Sequence, residues 1–369
     1  MSINQYNLIT MQTLYFAYAV YGFTFAFISL SVQFQMVNVY NFSSSDLAFA
    51  WSCVSLPWAF KPIYGFISDK TGRRVSVCLG AFTCALVLVY LPNFGEYIVY
   101  GMTLSSLCIC YADVASDSIV VTYTKAQGEA LQSTCWTARS FGSMIGTGLS
   151  GMAYEYMGYD TVLRVSAVGP FILSLMIWNI KEPPQETSSL KNALKSIYAM
   201  RHLVLIAVFM GLTPEVNNVF FYTLKDKLQP TELSLISVTG SMAACVVSFF
   251  FQYIVNYKFC LRLAVVLGIA SSVLAFCIYA GAPTFAVEMI RSVIGGVAGM
   301  CFVLPLVIGA AKLSTDGSEG VSYALFVSIM NLSGVVGEMI EGGVVRELDD
   351  MGLFLIVAAV VSWLPLLVI

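Results

Sequence analysis

Long apolar stretches follow one another along most of the chain, and short polar stretches separate them. Residues 78–92, 263–280 and 293–311 contain no charged side chain. A helix of about 20 mainly apolar residues crosses a bilayer core that is about 30 Å thick. The pattern therefore predicts twelve transmembrane helices, which we place at residues 11–34, 46–67, 74–91, 97–122, 129–153, 160–180, 201–223, 231–255, 261–280, 284–311, 320–343 and 351–369.

The composition agrees with an integral membrane protein whose main surroundings are a lipid bilayer. Of the 369 residues, 58% are hydrophobic and 11% are charged, whereas soluble domains carry about 25% charged residues. The ten cysteines are scattered through apolar stretches without paired spacing, so we interpret them as packing residues. With one histidine and no metal-ligand cluster in the sequence, we predict no metal, no cofactor and no enzyme activity. We also expect no nucleic-acid partner.

One polar stretch is much longer than the others, and it divides the predicted helices into two groups of six. This stretch, residues 181–200, is predicted to be a cytoplasmic linker between an N-terminal half, 1–180, and a C-terminal half, 201–369. Two six-helix halves around a site near the membrane midplane are a known transporter plan. A faint repeat at an offset of 192 residues (320 minus 128) supports duplication, and it pairs Gly128 with Gly320, Gly142 with Gly334 and Gly151 with Gly343.

Lysine and arginine counts in the loops predict the orientation, because cytoplasmic loops carry an excess of both residues. With an even number of helices, both termini lie on the same side, and we expect that side to be the richer, cytoplasmic one. We also expect a monomer, in the plasma membrane or an organelle membrane. The richer set contains eleven residues, Lys70, Arg73, Arg74, Lys125, Lys181, Lys191, Lys195, Arg201, Lys258, Arg262 and Lys312. The poorer set contains Arg164, Lys225, Lys227 and Arg346.

Several charged residues fall deep inside predicted helices. Each costs about 2.5–3.5 kcal/mol on insertion scales, so it usually faces a cavity or a partner. We select six as candidates for solute binding or proton coupling: Lys61, Asp113, Asp117, Arg139, Arg291 and Glu338.

Asp113 and Asp117 lie four residues apart, on one face of the fourth helix. Two neighbouring carboxylates in a poorly hydrated site raise each other's proton affinity, which is the chemistry of a proton-coupled transporter. The alternative is a permanent ion-pair arrangement with Lys61 and Arg139 that has no part in transport. Arg291 is expected to pair locally with Glu288, three residues before it.

The sharpest local signal lies between the second and third helices, in the stretch from Gly65 to Arg74. It resembles the cytoplasmic loop signature of the major facilitator superfamily, which implies that fold for the whole chain. The alternative is a plain basic turn that only sets the orientation. Under the resemblance, the residues of a conformational gate are Gly65, Asp69, Gly72, Arg73 and Arg74.

Longer stretches resemble the folate–biopterin transporter family within that superfamily. They are Leu56 to Gly65, Ala112 to Val121 and Gln132 to Ser143 in the first half, with softer matches at Thr213 to Glu215, Phe220 to Tyr222 and Ser322 to Asn331. The resemblance implies a secondary transporter of folate or pterin solutes that works by alternating access and is coupled to protons. Arg139 or Lys61 would then hold a solute carboxylate, since arginine binds carboxylates bidentately.

Aromatic side chains could stack on a flat heterocyclic solute. The candidates are Tyr18, Tyr21, Trp58, Trp136 and Phe221, although aromatic residues at helical spacing more often contact lipid or pack inside a helix bundle. Other readings stay open: a transporter of the same fold for adenosyl-methionine, a nucleoside or an amino acid, a receptor that moves no solute, or a membrane enzyme.

Overall fold

The structure is a computed structural model that describes residues 3–127, 130–180, 182, 190–214, 216–253, 256–313, 319–348 and 350–369. The described residues form sixteen α-helices joined by short turns and five 3₁₀ segments. In chain order these helices are α1 (Ile3–Asn38), α2 (Ser44–Ser55), α3 (Lys61–Thr71), α4 (Arg73–Tyr90), α5 (Ile98–Gln127), α6 (Ala130–Met157), α7 (Tyr159–Ser166), α8 (Val168–Met176), α9 (Leu190–Ala199), α10 (Arg201–Gly211), α11 (Asn217–Leu224), α12 (Pro230–Phe250), α13 (Tyr257–Tyr279), α14 (Thr284–Leu313), α15 (Glu319–Leu348) and α16 (Met351–Val361).

Eleven of the twelve predicted membrane spans correspond to one long helix or to two shorter helices in series, and the twelfth contains the 11-residue α16 followed by a 3₁₀ segment. The all-helical membrane fold is confirmed. Among the described residues, seven helical stretches are long and apolar enough to cross a membrane, and Arg73–Tyr123 counts there as one. That stretch contains the third and fourth predicted spans. The remaining spans are shorter, broken or more polar.

Proline explains the breaks in the second and seventh spans. Pro57 lies inside a 3₁₀ segment, Leu56–Phe60, that separates α2 from α3, and Pro62 is the second residue of α3. Proline lacks a backbone N–H and clashes with the preceding turn, so it interrupts an α-helix. In the seventh span, α10 ends before Pro214 and α11 begins at Asn217. Glu215, which directly follows this proline, lies outside the described residues.

Large apolar side chains cover the outer surface of the helix bundle, as expected where helices face lipid chains. Examples on four different helices are Phe82, Leu175, Phe249 and Ile290, each at least 41% exposed. Soluble monomers rarely expose apolar patches of more than a few hundred Å². This surface agrees with a multi-pass membrane protein.

Glycine allows the closest approach between helices of the first half. A methyl group on Gly142 of α6 would overlap the backbone of Ala19 on α1, and one on Gly22 of α1 would overlap the backbone of Arg139. Small residues let helix backbones come this close in membranes. The approach therefore brings the middle of α1 next to the middle of α6.

The second half makes a similar approach between α10 and α15, one turn away from the position that the repeat predicts. Gly334, the predicted counterpart of Gly142, has no atom within 4 Å of an added Cβ, whereas Gly337 lies against Gly211 of α10. Gly128 lies outside the described residues, so its predicted pairing is not described. The predicted linker contains the helix α9, and Lys181 and residues 183–189 lie outside the described residues.

Candidate functional site

A cluster of buried charges lies inside the first half, where α3, α5 and α6 meet. Lys61 is the first residue of α3, directly after the proline break, and its Nζ donates to Asp113 Oδ2 at 2.7 Å and to Asp117 Oδ2 at 3.0 Å. The two aspartates lie one turn apart on α5, so both reach the same ammonium group. Lys61 and Asp113 are 3% and 0% exposed, respectively.

Arg139 of α6 completes the cluster from the other side. Its NH1 donates to Asp113 Oδ1 at 3.0 Å, so each oxygen of Asp113 binds one cation. The guanidinium lies 5.4 Å from the ring centroids of both Trp58 and Trp136, within cation–π range. Two lysine or arginine cations therefore balance two carboxylates.

Tyrosine residues of α1 connect that helix to the cluster. Tyr18 donates to Asp117 Oδ1 at 2.5 Å, and the Tyr21 hydroxyl lies 2.8 Å from Ser116 Oγ. The four carboxylate oxygens of Asp113 and Asp117 thus have hydrogen-bond donors from three side chains, Lys61, Arg139 and Tyr18. We name Lys61, Asp113, Asp117, Arg139 and Tyr18 the first-half cluster.

Two cavities lie beside this cluster. The smaller has a volume of about 300 Å³ and lies in the first half, lined by Tyr21, Trp58 and Arg139 among others. The larger has a volume of about 790 Å³, and its wall contains residues from both 1–180 and 201–369, the two predicted halves. Trp58 and Ser55 line both cavities.

The second half places its own ion pair in the wall of the larger cavity. Arg291 Nε and NH2 donate to the two oxygens of Glu288 at 2.6 and 2.5 Å, which is the local pair that the spacing predicts. Arg291 NH1 also donates to Asn217 Oδ1 at 2.9 Å, at the start of α11. Its guanidinium lies 5.4 Å from the Phe220 ring. We name Glu288, Arg291 and Asn217 the second-half cluster.

The predicted site residues thus fall into two groups and not into one. Lys61, Asp113 and Asp117 line neither cavity, and their polar atoms bind one another. Arg139 lines the smaller cavity, while Arg291 and Glu338 line the larger one. The sequence analysis lists these six charged residues together, whereas in the structure those of residues 1–180 and those of residues 201–369 form separate groups.

The predicted stacking aromatics also divide between the cavities. Tyr21 lines the smaller cavity and Phe221 the larger, and Trp58 lines both. Tyr18 has no exposed surface and serves as a hydrogen-bond donor. Trp136 packs beside Arg139 without lining either cavity.

The predicted gate residues lie at the turn between α3 and α4. Gly72 has a φ of +93°, a conformation that favours glycine. Asp69 Oδ1 lies 3.8 Å from Arg73 Nε, and the Arg74 backbone N–H donates to Glu182, a residue that the sequence does not single out. A Cβ on Gly65 would meet its nearest neighbour at an ordinary 3.7 Å, so no unusually close helix approach depends on this glycine.

The sequence analysis, which selected charged residues, missed three neutral polar residues that lie in or beside these clusters. Asn217 binds Arg291, Ser106 accepts from the Trp58 indole at 2.9 Å, and Asn331 donates to the Trp58 carbonyl at 3.1 Å. Their sequence signal is a neutral polar residue inside an apolar span, which is too common in membrane helices to be selective. Across the described part of the chain, no group of three or more metal-binding side chains is present.

The described helices form a membrane fold that solved transporters share. A mutant of the nucleoside transporter NupG superimposes with a TM-score of 0.76 at 14% identity, over 96% of this chain and 98% of that one. The human organic anion transporter MFSD10 superimposes with a TM-score of 0.74 at 12% identity, over the whole of both chains. At these identities the likeness concerns the fold.

Sequence comparison gives the family. The BT1 family matches residues 21–368, so this chain belongs to the BT1 family. A folate-biopterin transporter of Synechocystis sp. is 24% identical to it, over 98% of this chain and 80% of the relative. The resemblance inferred from the motifs of the first half is thereby confirmed.

Proposed function

We propose that this protein is a secondary transporter of folate- or pterin-type solutes, driven by protons and working by alternating access. The observation that carries the proposal is the first-half cluster, in which Lys61, Asp113 and Asp117 lie buried and the partly exposed Arg139 faces a cavity. Charges in this position are expensive and usually serve a solute or ion pathway. The printed name of the Synechocystis relative supports the solute class.

Asp117 is the better proton acceptor of the two aspartates. Its carboxylate contacts one cation, Lys61, and the neutral hydroxyl of Tyr18, whereas the Asp113 carboxylate contacts both Lys61 and Arg139. Protonating Asp117 therefore removes fewer favourable charge contacts than protonating Asp113. Asp117 is also 8% exposed, against 0% for Asp113.

Protonation of Asp117 would change the charge that the cluster presents to a solute. The cluster is formally neutral with both aspartates ionised, and it gains one positive charge when Asp117 is neutral. Lys61 then keeps one anionic partner instead of two. An anionic solute would bind better in that state, which links proton uptake to uptake of a carboxylate.

The cavities offer places for both ends of a folate. Arg139 has 23% of its side chain exposed and lines the smaller cavity, where a solute carboxylate could reach its free nitrogens. Glu338 and Phe221 line the larger cavity, where a carboxylate could accept from an amino-pyrimidine edge and a ring could stack. In this arrangement Trp58 lies beside the solute between the two cavities.

Alternating access requires the halves to move against each other. We propose residues 1–180 and 201–369 as the moving halves, 181–200 as their cytoplasmic linker, and the turn around Gly72 as a gate that closes one side. Both termini would be cytoplasmic and the protein a monomer. No catalytic step is part of the proposal.

The decisive experiment is uptake of radiolabelled folate and biopterin into proteoliposomes under an imposed inward proton gradient. We expect accumulation that a protonophore abolishes, and protein-free liposomes are the control. Each pH unit of the gradient supplies about 1.4 kcal/mol per proton, enough for roughly tenfold accumulation. Uptake that ignores both the gradient and the protonophore would overturn proton coupling and indicate facilitated diffusion.

A second candidate is a cationic solute on the same fold, and the wall of the larger cavity favours it. Its charged lining residues among those described are Glu288, Arg291 and Glu338, two carboxylates against one guanidinium. Competition with adenosyl-methionine, basic amino acids and nucleosides in the same liposomes separates the candidates. Inhibition by one of these and not by folate would replace the solute class, and binding without flux would indicate a receptor.

A further inference from the structure

We propose that Asn331 is a positioning residue that ties the second half to the first-half cluster through the backbone of Trp58. The inference deepens the proposed transport function and rests on it for its purpose. The contact itself stands on geometry alone.

The contact joins two helices from opposite halves of the molecule. Asn331 Nδ2, in the middle of α15, donates to the Trp58 carbonyl at 3.1 Å, and the two residues are 273 positions apart in the chain. Both line the cavity between the halves. A movement that separates the two helices at this level must therefore break this hydrogen bond.

The local sequence explains why this carbonyl is free to accept a side chain. In an α-helix the Trp58 carbonyl would accept from the backbone N–H of residue 62, but residue 62 is Pro and has none. The segment is instead a 3₁₀ turn, whose internal hydrogen bonds have poorer geometry. A carbonyl has two lone pairs, so a side-chain amide can supply a further donor.

Trp58 carries the effect of this bond to the charges. Its ring centroid lies 5.0 Å from Lys61 Nζ and 5.4 Å from the Arg139 guanidinium, and its indole N–H donates to Ser106 Oγ at 2.9 Å. Both cations therefore rest against one ring whose backbone is held from the other half. Loss of the Asn331 amide would let the ring shift relative to the two cations.

Fluorine NMR of protein labelled with 5-fluorotryptophan tests the role of Asn331 without any solute. The chain has five tryptophans, and a Trp58→Phe sample assigns the Trp58 signal while the other four serve as internal references. We expect Asn331→Leu, which has a similar size and no donor, and Asn331→Asp, which cannot donate when ionised, to move the Trp58 signal. The other four signals should keep their positions.

Ser333→Ala is the matched control, because Ser333 lies two residues further along α15 and its hydroxyl bonds only to carbonyls of its own half, Ala207 and Met330. It should leave the Trp58 signal unchanged. The rate of solute uptake should fall about fivefold to tenfold in both Asn331 variants, the loss expected for one hydrogen bond, and stay near wild type in the control.

A Trp58 signal at its wild-type position in both Asn331 variants would overturn the proposal, and so would a shift of all five signals together, which would indicate general repacking. If Asn331→Leu does not yield monodisperse protein, Asn331→Asp decides alone. A wild type that carries no folate or pterin would contradict the proposed solute, while the spectrum would still decide the role of Asn331.

Discussion

In the first half, Lys61, Asp113 and Arg139 come from three different helices, whereas in the second half Glu288 and Arg291 lie three residues apart on α14. The first-half cluster exists only while α3, α5 and α6 stay packed. The Glu288–Arg291 pair is carried by one helix and would survive most movements of its neighbours.

From this difference we infer different roles for the two clusters. A cluster shared by several helices changes its energy when a proton binds or a helix moves, so it can couple those events. A local pair keeps its geometry and offers the cavity a fixed surface, with Asn217 attaching α11 to it. We therefore expect the first-half cluster to govern energy coupling and the second-half cluster to shape the cavity wall.

The largest effect is expected from Lys61→Met, because it leaves Asp117 with no cation in the first-half cluster. Breaking a buried ion pair from one side costs about 3–5 kcal/mol. We expect a loss of this size in the free energy of unfolding, and chemical unfolding in detergent micelles would measure it. Lys70→Met, at an exposed position of the same helix, is the control.

Two double variants sharpen this prediction. After Lys61→Met, Asp113 still has Arg139, so adding Asp117→Asn should recover stability. Adding Asp113→Asn instead leaves both Asp117 and Arg139 without an oppositely charged partner in the cluster. Equal stability of the two double variants would contradict the arrangement.

A smaller loss is expected from Glu288→Gln, because its partner Arg291 lies on the same helix and keeps Asn217. Hydrogen bonds to charged groups contribute about 1.5–3 kcal/mol, so the loss of unfolding free energy should fall in that range. The double variant Glu288→Gln with Arg291→Met should lie closer to wild type than Glu288→Gln does. A double variant less stable than the sum of both singles would indicate that the pair is not self-contained.

The close packing of α1 on α6 gives a third test of the comparison. Tyr18 of α1 and Arg139 of α6 belong to the first-half cluster, so that cluster depends on this packing. Gly142→Ala would push α6 away from Ala19, and overpacking of this kind typically costs about 1–3 kcal/mol. Thermal unfolding with a scattering readout measures the loss. Gly343→Ala, where an added Cβ meets nothing within 4 Å, should be nearly neutral.

The smallest effect is expected from Tyr18→Phe, which removes one donor from Asp117 and keeps the lysine contact. A loss of about 1–2 kcal/mol in unfolding free energy is expected for a hydrogen bond to a charged group with another partner. Tyr15→Phe, on the same helix, is the control for ring packing. A Tyr18→Phe loss as large as that of Lys61→Met would show that the hydroxyl matters more than the ammonium.

The fold could be predicted from the sequence because the length and spacing of apolar stretches determine which segments cross a membrane. The helix breaks were signalled by Pro62 and Pro214, and the Glu288–Arg291 pair by its spacing on one helix. These features depend on neighbours in the chain, so they are visible without a structure. The division into halves at residues 181–200 stays a prediction.

The partners in the first-half cluster could be proposed but not located. Whether Lys61 reaches Asp113 depends on how α3 packs on α5, and that packing depends on the whole bundle. The same holds for Tyr18, whose buried hydroxyl looks in the sequence like any aromatic residue of a membrane helix. The hydrogen bond of Asn331 could not be predicted either, because its partner, Trp58, is 273 positions away in the chain.

The central claim, that Asp117 takes up the transported proton, is tested most directly by Asp117→Asn in proteoliposomes with an imposed proton gradient. The account predicts that this variant loses solute accumulation against a gradient but keeps exchange of labelled for unlabelled solute at close to the wild-type rate. Accumulation equal to wild type in Asp117→Asn would contradict it.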